Sequence, residues 1–208
     1  MQDRNRSAPW RRISAAGLIG TLGVLASAHA EVTDAVRPIG QPTAFWIDTT
    51  EVTVAAFDAF VRENQLKTAA QAAGGGYEYR FGWQQRDGWD YLHPYGRAAQ
   101  GNEPAVHVSW FEAQQYCRSV GGRLPTRQEW TTAAYTETRP EPPAPFESQR
   151  TYPYPTGQTG EAANTRGDAD GWEAHAPVAS FAAGVNGLHD MGANVWEWVD
   201  DARGDDRL

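Results

Sequence analysis

The residues best suited to chemistry lie late in the chain. The stretch GVNGLHDMGANVWEWVDD, Gly184 to Asp201, sets Asp190 and Glu197 on either side of a turn rich in Gly and Asn. Shortly before it, EAANTRGDADGWEAHAPV supplies Asn164, Asp168 and Asp170. Hard cations such as Ca²⁺ take roughly six to eight oxygens, drawn from carboxylates, amide side chains and the carbonyls of tight turns. The same residue types are also ordinary turn formers, and spacing alone leaves both readings open. On either reading the Trp-Glu-Trp run has a physical sense: rings packed into a core on both sides would fix the carboxylate between them.

Other chemistries find little support. Ser109 precedes no nucleophile-elbow pattern and is explained as a helix cap. Cys117 falls on an apolar helix face, where a free cysteine behaves as an inert core residue. The histidines show no metal-ligand spacing, and GGGYEY lacks the strand-to-helix setting of a phosphate loop.

The elements that must position these residues are few. FWIDTTEVT reads as a short strand running into a helix start. Thr53 then caps VAAFDAFVREN, in which Val54, Phe57, Phe60 and Val61 form one apolar face. Ser109-Trp110-Phe111-Glu112 is a capping box. It opens a helix with Trp110, Ala113, Cys117 and Val120 at helical spacing, stopped by Gly121-Gly122. Thr126-Arg127-Gln128-Glu129 is a second capping box, with Pro125 and Trp130 at the positions of a hydrophobic staple. Two long segments read as irregular: Ala72 to Gly96, which mixes Gly with aromatics, and Arg139 to Gly157, which is too rich in Pro for helix or central strand. EPPAP within the latter reads as an exposed connector.

Composition narrows the class further. Residues 1–30 have the layout of a secretory signal peptide: basic RNRSAPWRR, an apolar run from Ile13 to Ala28, and Ala28-His29-Ala30 before Glu31. The residues after Arg11-Arg12 fit general secretion better than twin-arginine export. Without that segment, residues 31–208 carry 14 basic and 25 acidic side chains, a formal net charge of −11. Such a balance argues against nucleic acid and against an anionic membrane surface. One domain with a sizeable core is expected, exported to the periplasm or secreted, with no membrane association after cleavage. The single cysteine means that the fold holds without internal disulfides.

Several motifs in order resemble one family. GGRLPTRQEWTTAAY, YPYPTG…ANTRGD and GVNGLHDMGANVWEW look like the formylglycine-generating enzymes, also called sulfatase-modifying factors; FWIDTTEVTVAAFDAFV and PAVHVSWFEAQQYC resemble the family's opening elements. The resemblance covers Pro38 to Asp201. It implies an α+β, irregular, loop-rich fold related to C-type lectins and stabilised by Ca²⁺. Carried over by position, a first calcium loop would use the Asn164 side chain, the Thr165 carbonyl, the Asp170 carboxylate and the Trp172 carbonyl. A second would use the Asp190 and Glu197 side chains with the Ala193 and Val195 carbonyls. In the second loop Gly192-Ala193-Asn194 reverses the family's usual order, so Ala193 would be strained if its position needs a positive φ.

The resemblance also implies a reaction and a gap. Type enzymes oxidise a cysteine of a protein or peptide substrate to formylglycine with O₂, using copper held by two cysteines downstream of the Trp-Glu-Trp motif. Cys117 matches a structural position instead. The chain is therefore expected to be truncated before that segment, with no catalytic residue of its own and the catalytic metal of the whole protein open. A non-catalytic calcium-stabilised binding module for peptide or glycan is the alternative, as is a relative of the family's non-heme iron enzymes.

Overall fold

The computed structural model describes residues 36–40, 45–79, 81–161, 163–165 and 170–200. The expected signal peptide and Asp168 lie outside the described residues. Two strands, β1 (Val36–Ile39) and β2 (Phe45–Asp48), pair antiparallel with Ile39 opposite Phe45. Helix α1 (Val54–Glu63) follows at once. Thr53 caps it by accepting from the Ala56 amide, and Val54, Phe57, Phe60 and Val61 are its buried face, as the periodicity predicts. That face meets Tyr91 and Tyr116 in an aromatic core, with Phe57 edge-on to Tyr91 at 5.1 Å.

The segment expected to be irregular after Ala72 is ordered instead. Thr68 and Gln71 form a capping box on the short helix α2 (Ala69–Ala73), which Gly74 ends at φ +80°. A hairpin follows, β3 (Gly75–Tyr79) with β4 (Trp83–Asp87), in register from Gly75–Asp87 to Tyr79–Trp83. The glycines that disguise this strand are required by close approach. A Cβ on Gly75 would lie 2.1 Å from the Arg86 carbonyl oxygen, and one on Gly76 would lie 2.4 Å from the His107 ring. Gly weakens a strand by propensity, but here no side chain fits.

Helices α3 (Trp110–Ser119) and α4 (Arg127–Tyr135) both begin with the expected capping boxes. The buried face of α3 differs in part: Trp110 and Tyr116 are buried, Ala113 and Cys117 are half-buried, and Val120 is exposed at the C-cap. Residues Ala133 and Ala134 of α4 pack on Ile39, Leu188 and Met191 in a second core. The proline-rich stretch forms neither helix nor named strand, and the EPPAP connector is largely exposed.

The motif around Asn186 shows why its residues are fixed. Asn186 is fully buried at φ +56°, a conformation that Asn tolerates better than most side chains. Its Nδ2 donates to the carbonyls of Ala133 and Thr136, and its Oδ1 accepts from the Thr138 amide and hydroxyl. Its backbone amide donates to buried Glu137, which Arg139 neutralises with two bonds. This polar plug closes the end of α4 and directs the following chain toward Asp190.

Candidate metal centre

Glu51 at the β2–α1 junction faces two carboxylates of the late stretch electrostatically, Asp190 and Glu197. Burial pushes Glu51 up to about 8, with the negative charge of Asp190 adding to it. Burial likewise raises Glu197 to about 7, and raises Asp190 above the ordinary carboxylate range. Glu51 Oε2 and Asp190 Oδ1 are buried with no hydrogen-bond partner. Buried carboxylate oxygens are normally bonded, so these two orphans mark a place that favours positive charge. Among the described residues, no three His, Cys, Asp or Glu side chains lie close enough to hold a metal by themselves. An ion here would therefore draw on turn carbonyls as well, which is the usual donor mix for Ca²⁺ in loops.

The backbone carrying the second predicted loop is tightly turned. Asp190, Gly192 and Asn194 have φ of +59°, +69° and +58°. Ala193 is not among the positive-φ residues, so the reversed Gly-Ala-Asn order places the alanine where it is not strained. The Ala193 amide donates to the Asp190 carbonyl at 2.9 Å. Asp190 Oδ2 accepts from the Ala179 amide, leaving Oδ1 as the orphan.

Glu197 is held differently from the expectation that both flanking tryptophans bury against it. Trp196 is 79% exposed and packs instead on the hairpin rings of Trp83 at 5.6 Å and Tyr79 at 6.1 Å. Trp198 is half-buried against Trp110 and Leu124, its Nε1 donating to the Val108 carbonyl. The ring that fixes the carboxylate is Trp130 of α4, whose Nε1 donates to Glu197 Oε2 at 2.6 Å. Side chains alternate in direction along an extended segment, so the two neighbours of Glu197 did not have to share its environment.

The first predicted loop is closed by its own carboxylate. Asp170 accepts from the Thr165 and Trp172 amides, at 3.0 Å each. Asn164 is buried and donates both amide hydrogens, to the Ala174 carbonyl and to Asn194 Oδ1. Asn194 in turn accepts from the Ala176 amide and donates to Glu51 Oε1 at 2.8 Å. The structure thus joins the two predicted loops and adds Glu51 to their surroundings. Neither Glu51 nor the hub role of Asn194 was singled out in the sequence. Glu51 is 139 positions from Asp190, and its only local mark is an acid beside an otherwise apolar helix start.

A second polar group anchors the end of the first loop. Glu103, almost fully buried, binds Arg97 through both oxygens and His175 Nε2 at 2.6 Å. Burial works against its charge. The bonds from Arg97, the Gln100 amide and His175 outweigh it and hold the carboxyl down to about 2. His175 has its pKa lowered, first by burial.

Residues 20–207 match the family model described as a sulfatase-modifying factor enzyme 1-like domain. The chain belongs to the sulfatase-modifying factor family. It is 28% identical over 190 residues to a formylglycine-generating enzyme of Mus musculus, covering 76% of this chain and 49% of that protein. It is 31% identical over 184 residues to an inactive C-alpha-formylglycine-generating enzyme 2 of Mus musculus, covering 74% of this chain and 57% of that one. The chain spans about half the length of the curated relatives it matches. PvdO from Pseudomonas aeruginosa has a similar fold, with a TM-score of 0.50 and 21% identity over 82% of this chain and 68% of that one. The family resemblance seen in the motifs is therefore established, and the mixed helix-and-sheet fold with it.

Cys117, the single cysteine, lies in the wall of a groove of about 390 Å³ bordered by β2, α3, α4 and the Trp196–Trp198 segment. Burial pushes its thiol up to about 11, so at neutral pH it is a protonated, poorly nucleophilic group.

Proposed function

We propose that this chain forms the calcium-stabilised scaffold of an exported formylglycine-generating-enzyme-like domain. The observation that carries this reading is the pair of buried carboxylate oxygens, Glu51 Oε2 and Asp190 Oδ1, without partners beside Glu197. The second site would comprise the Asp190 and Glu197 side chains with the Ala193 and Val195 carbonyls. The first would comprise Asn164, Thr165, Asp170 and Trp172. Bound calcium would supply charge neutralisation and fixed loop geometry, with no redox role. The protein's own residues do the positioning: Trp130 orients Glu197, Asn194 spaces the turn carbonyls, and Asp190 closes the turn.

The copper chemistry of the type enzymes does not fit the described residues, since Cys117 has a raised pKa and the 208 residues hold no second thiol. No catalytic step is assigned to this chain. Cysteine-to-formylglycine conversion in a protein or peptide substrate, C-type-lectin kinship, and export to the periplasm or beyond belong to the same proposal.

Calorimetric titration of the chelator-treated chain with Ca²⁺ tests the scaffold. Saturable binding that raises the melting temperature is expected, and Glu197→Gln should abolish the second-loop event. Absence of binding, or a melting temperature indifferent to chelator, would sink it. The catalytic part is tested by incubating the native exported protein with a sulfatase-motif peptide, with and without copper.

A second reading, a binding module without catalysis, is favoured by the exposed ring cluster of Tyr79, Trp83 and Trp196. Exposed aromatic surface at this density marks an interaction site more often than packing. Peptide or glycan retention that disappears in Trp196→Ala, with no formylglycine formed by the native protein, would support it.

A further inference from the structure

The β3–β4 hairpin turns one face to the body of the protein and the other away from it. Residues directly opposite each other across a ladder share a face, and side chains alternate along each strand. The register therefore puts Tyr77, Tyr79, Trp83 and Gln85 on one face, and Gly76, Glu78, Gln84 and Arg86 on the other. The second is the inner face, since Gly76 lies against the His107 ring. Glu78 and Arg86 pair there at 2.8 Å. The first face is open. Tyr77 and Tyr79 are each 53% exposed and Trp83 is 60% exposed. Trp196, more exposed still, packs onto Tyr79 and Trp83 from the late stretch.

The size of this face is a guide to its use. At up to about 250 Å² for a fully bare Tyr or Trp, the four residues present roughly 600 Å² of ring surface. The largest apolar patch on an ordinary monomer is about 300–600 Å². A stable interface takes about 600–1,000 Å² from each partner. The four rings reach the lower bound of that range by themselves, before the polar rim around Gln85 is added.

Shape and charge select the occupant. Tyr79, Trp83 and Trp196 fill the space between one another, with centroids 5.3 to 6.1 Å apart. They leave no slot among the rings, whereas small ligands take concave sites. Neither the four rings nor Gln85 carries a charge, so a charged partner of either sign has nothing on this face to pair with. The whole chain has a formal net charge of −8, which sets most of its surface against a second copy. On this face that repulsion has no local source. A uniform ring surface also complements itself across a two-fold axis, and edge-to-face contact serves both sides equally.

We propose that this face is covered by the same face of a second copy of the chain. The result is a two-fold dimer in which Tyr77, Tyr79, Trp83 and Trp196 pack on their counterparts. The proposal makes no use of the calcium reading. It gives the ring cluster a different occupant from the peptide or glycan of the second reading.

Sedimentation velocity of the full chain across the micromolar range tests it, in calcium and in chelator. The mass should pass from one chain to two as concentration rises, in both solutions. Trp83→Ser should weaken association at least about tenfold, as loss of a central ring does at an interface. Because Trp83 also touches Tyr79 and Trp196, Tyr77→Glu serves as a second variant. Tyr77 takes no part in those ring contacts, and a carboxylate there would bring like charge into the interface. It should abolish the dimer while circular dichroism and urea unfolding stay native. A native protein that remains one chain throughout would overturn the proposal. So would a dimer that both variants leave intact, which would place the contact on another face. A single chain that retains a peptide or glycan through Trp83 would give the face to that ligand instead. None of these outcomes bears on calcium, which the calorimetric titration decides separately.

Discussion

Around α1 and α3 the protein is held by rings, whereas around residues 163–197 it is held by amides and carboxylates. In the first region Phe57, Phe60, Tyr91 and Tyr116 pack with centroids 5.1 to 6.0 Å apart, and no charge takes part in those ring contacts. In the second, the described residues have almost no regular structure, and their positions are set by Asn164, Asn186, Asn194 and their acidic partners. An apolar core of this kind stabilises under any solution condition that keeps water cohesive. A polar scaffold with orphaned carboxylates depends on pH and ions. The difference makes the loop region the part of the molecule that its surroundings can adjust.

That contrast can be broken or sharpened by measurement. The largest effect should come from the ring core. Phe57→Ala should cost about 3–5 kcal/mol in urea unfolding, with the same loss in chelator and in calcium; a calcium-dependent loss would mean that the two regions are not distinct. Asn186→Ala should come next, at roughly 3 kcal/mol, because it strands the buried Ala133 carbonyl and the Thr138 amide without partners.

The pH response should separate the regions by sign. Glu103 is held down to about 2 from an ordinary 4.5, so its contribution is present above pH 4.5 and lost as pH falls toward 2. That contribution should be about 3 kcal/mol, and Glu103→Gln should flatten the acid limb of the stability curve. His175 acts in the same direction, since its lowered pKa makes the unfolded chain bind protons first. The loop carboxylates oppose this. Glu51 and Glu197, raised to about 8 and 7, bind protons more readily in the folded state. In chelator, stability should therefore fall as pH rises from about 4.5 through 8, and calcium should cancel that slope. A metal-free protein with no such slope would remove the electrostatic distinction. The smallest effect belongs to a local signal: Thr126→Ala, which deletes the cap of α4, should cost about 1 kcal/mol near neutral pH, the same with and without calcium.

How much was legible follows from the same physics. The three longer helices were readable because each start is announced within four residues: Thr53, Ser109 and Thr126 all cap as expected. Helix α2 carried the same kind of sign in Thr68 and Gln71, but it lay inside a segment whose glycines suggested irregular chain. The β3–β4 hairpin was hidden because Gly75 and Gly76 are there for lack of space, a constraint imposed by Arg86 and His107. At the candidate site, Asp190 and Glu197 stood out by composition. Glu51, Trp130 and Asn194 did not, since their roles depend on contacts across as many as 143 positions.

The sequence by itself determined the family, the capped helices, the apolar face of α1, and the two loops rich in Asn, Asp and Gly. Those features are written in near-neighbour spacing, where hydrogen bonding and periodicity act over a few residues. Only the tertiary structure decided which ring holds Glu197, that Trp196 turns outward to the hairpin, and that Asn194 ties the two loops to the β2–α1 junction. Those outcomes depend on which distant surfaces meet, and burial assigns a side chain its environment only after they have met.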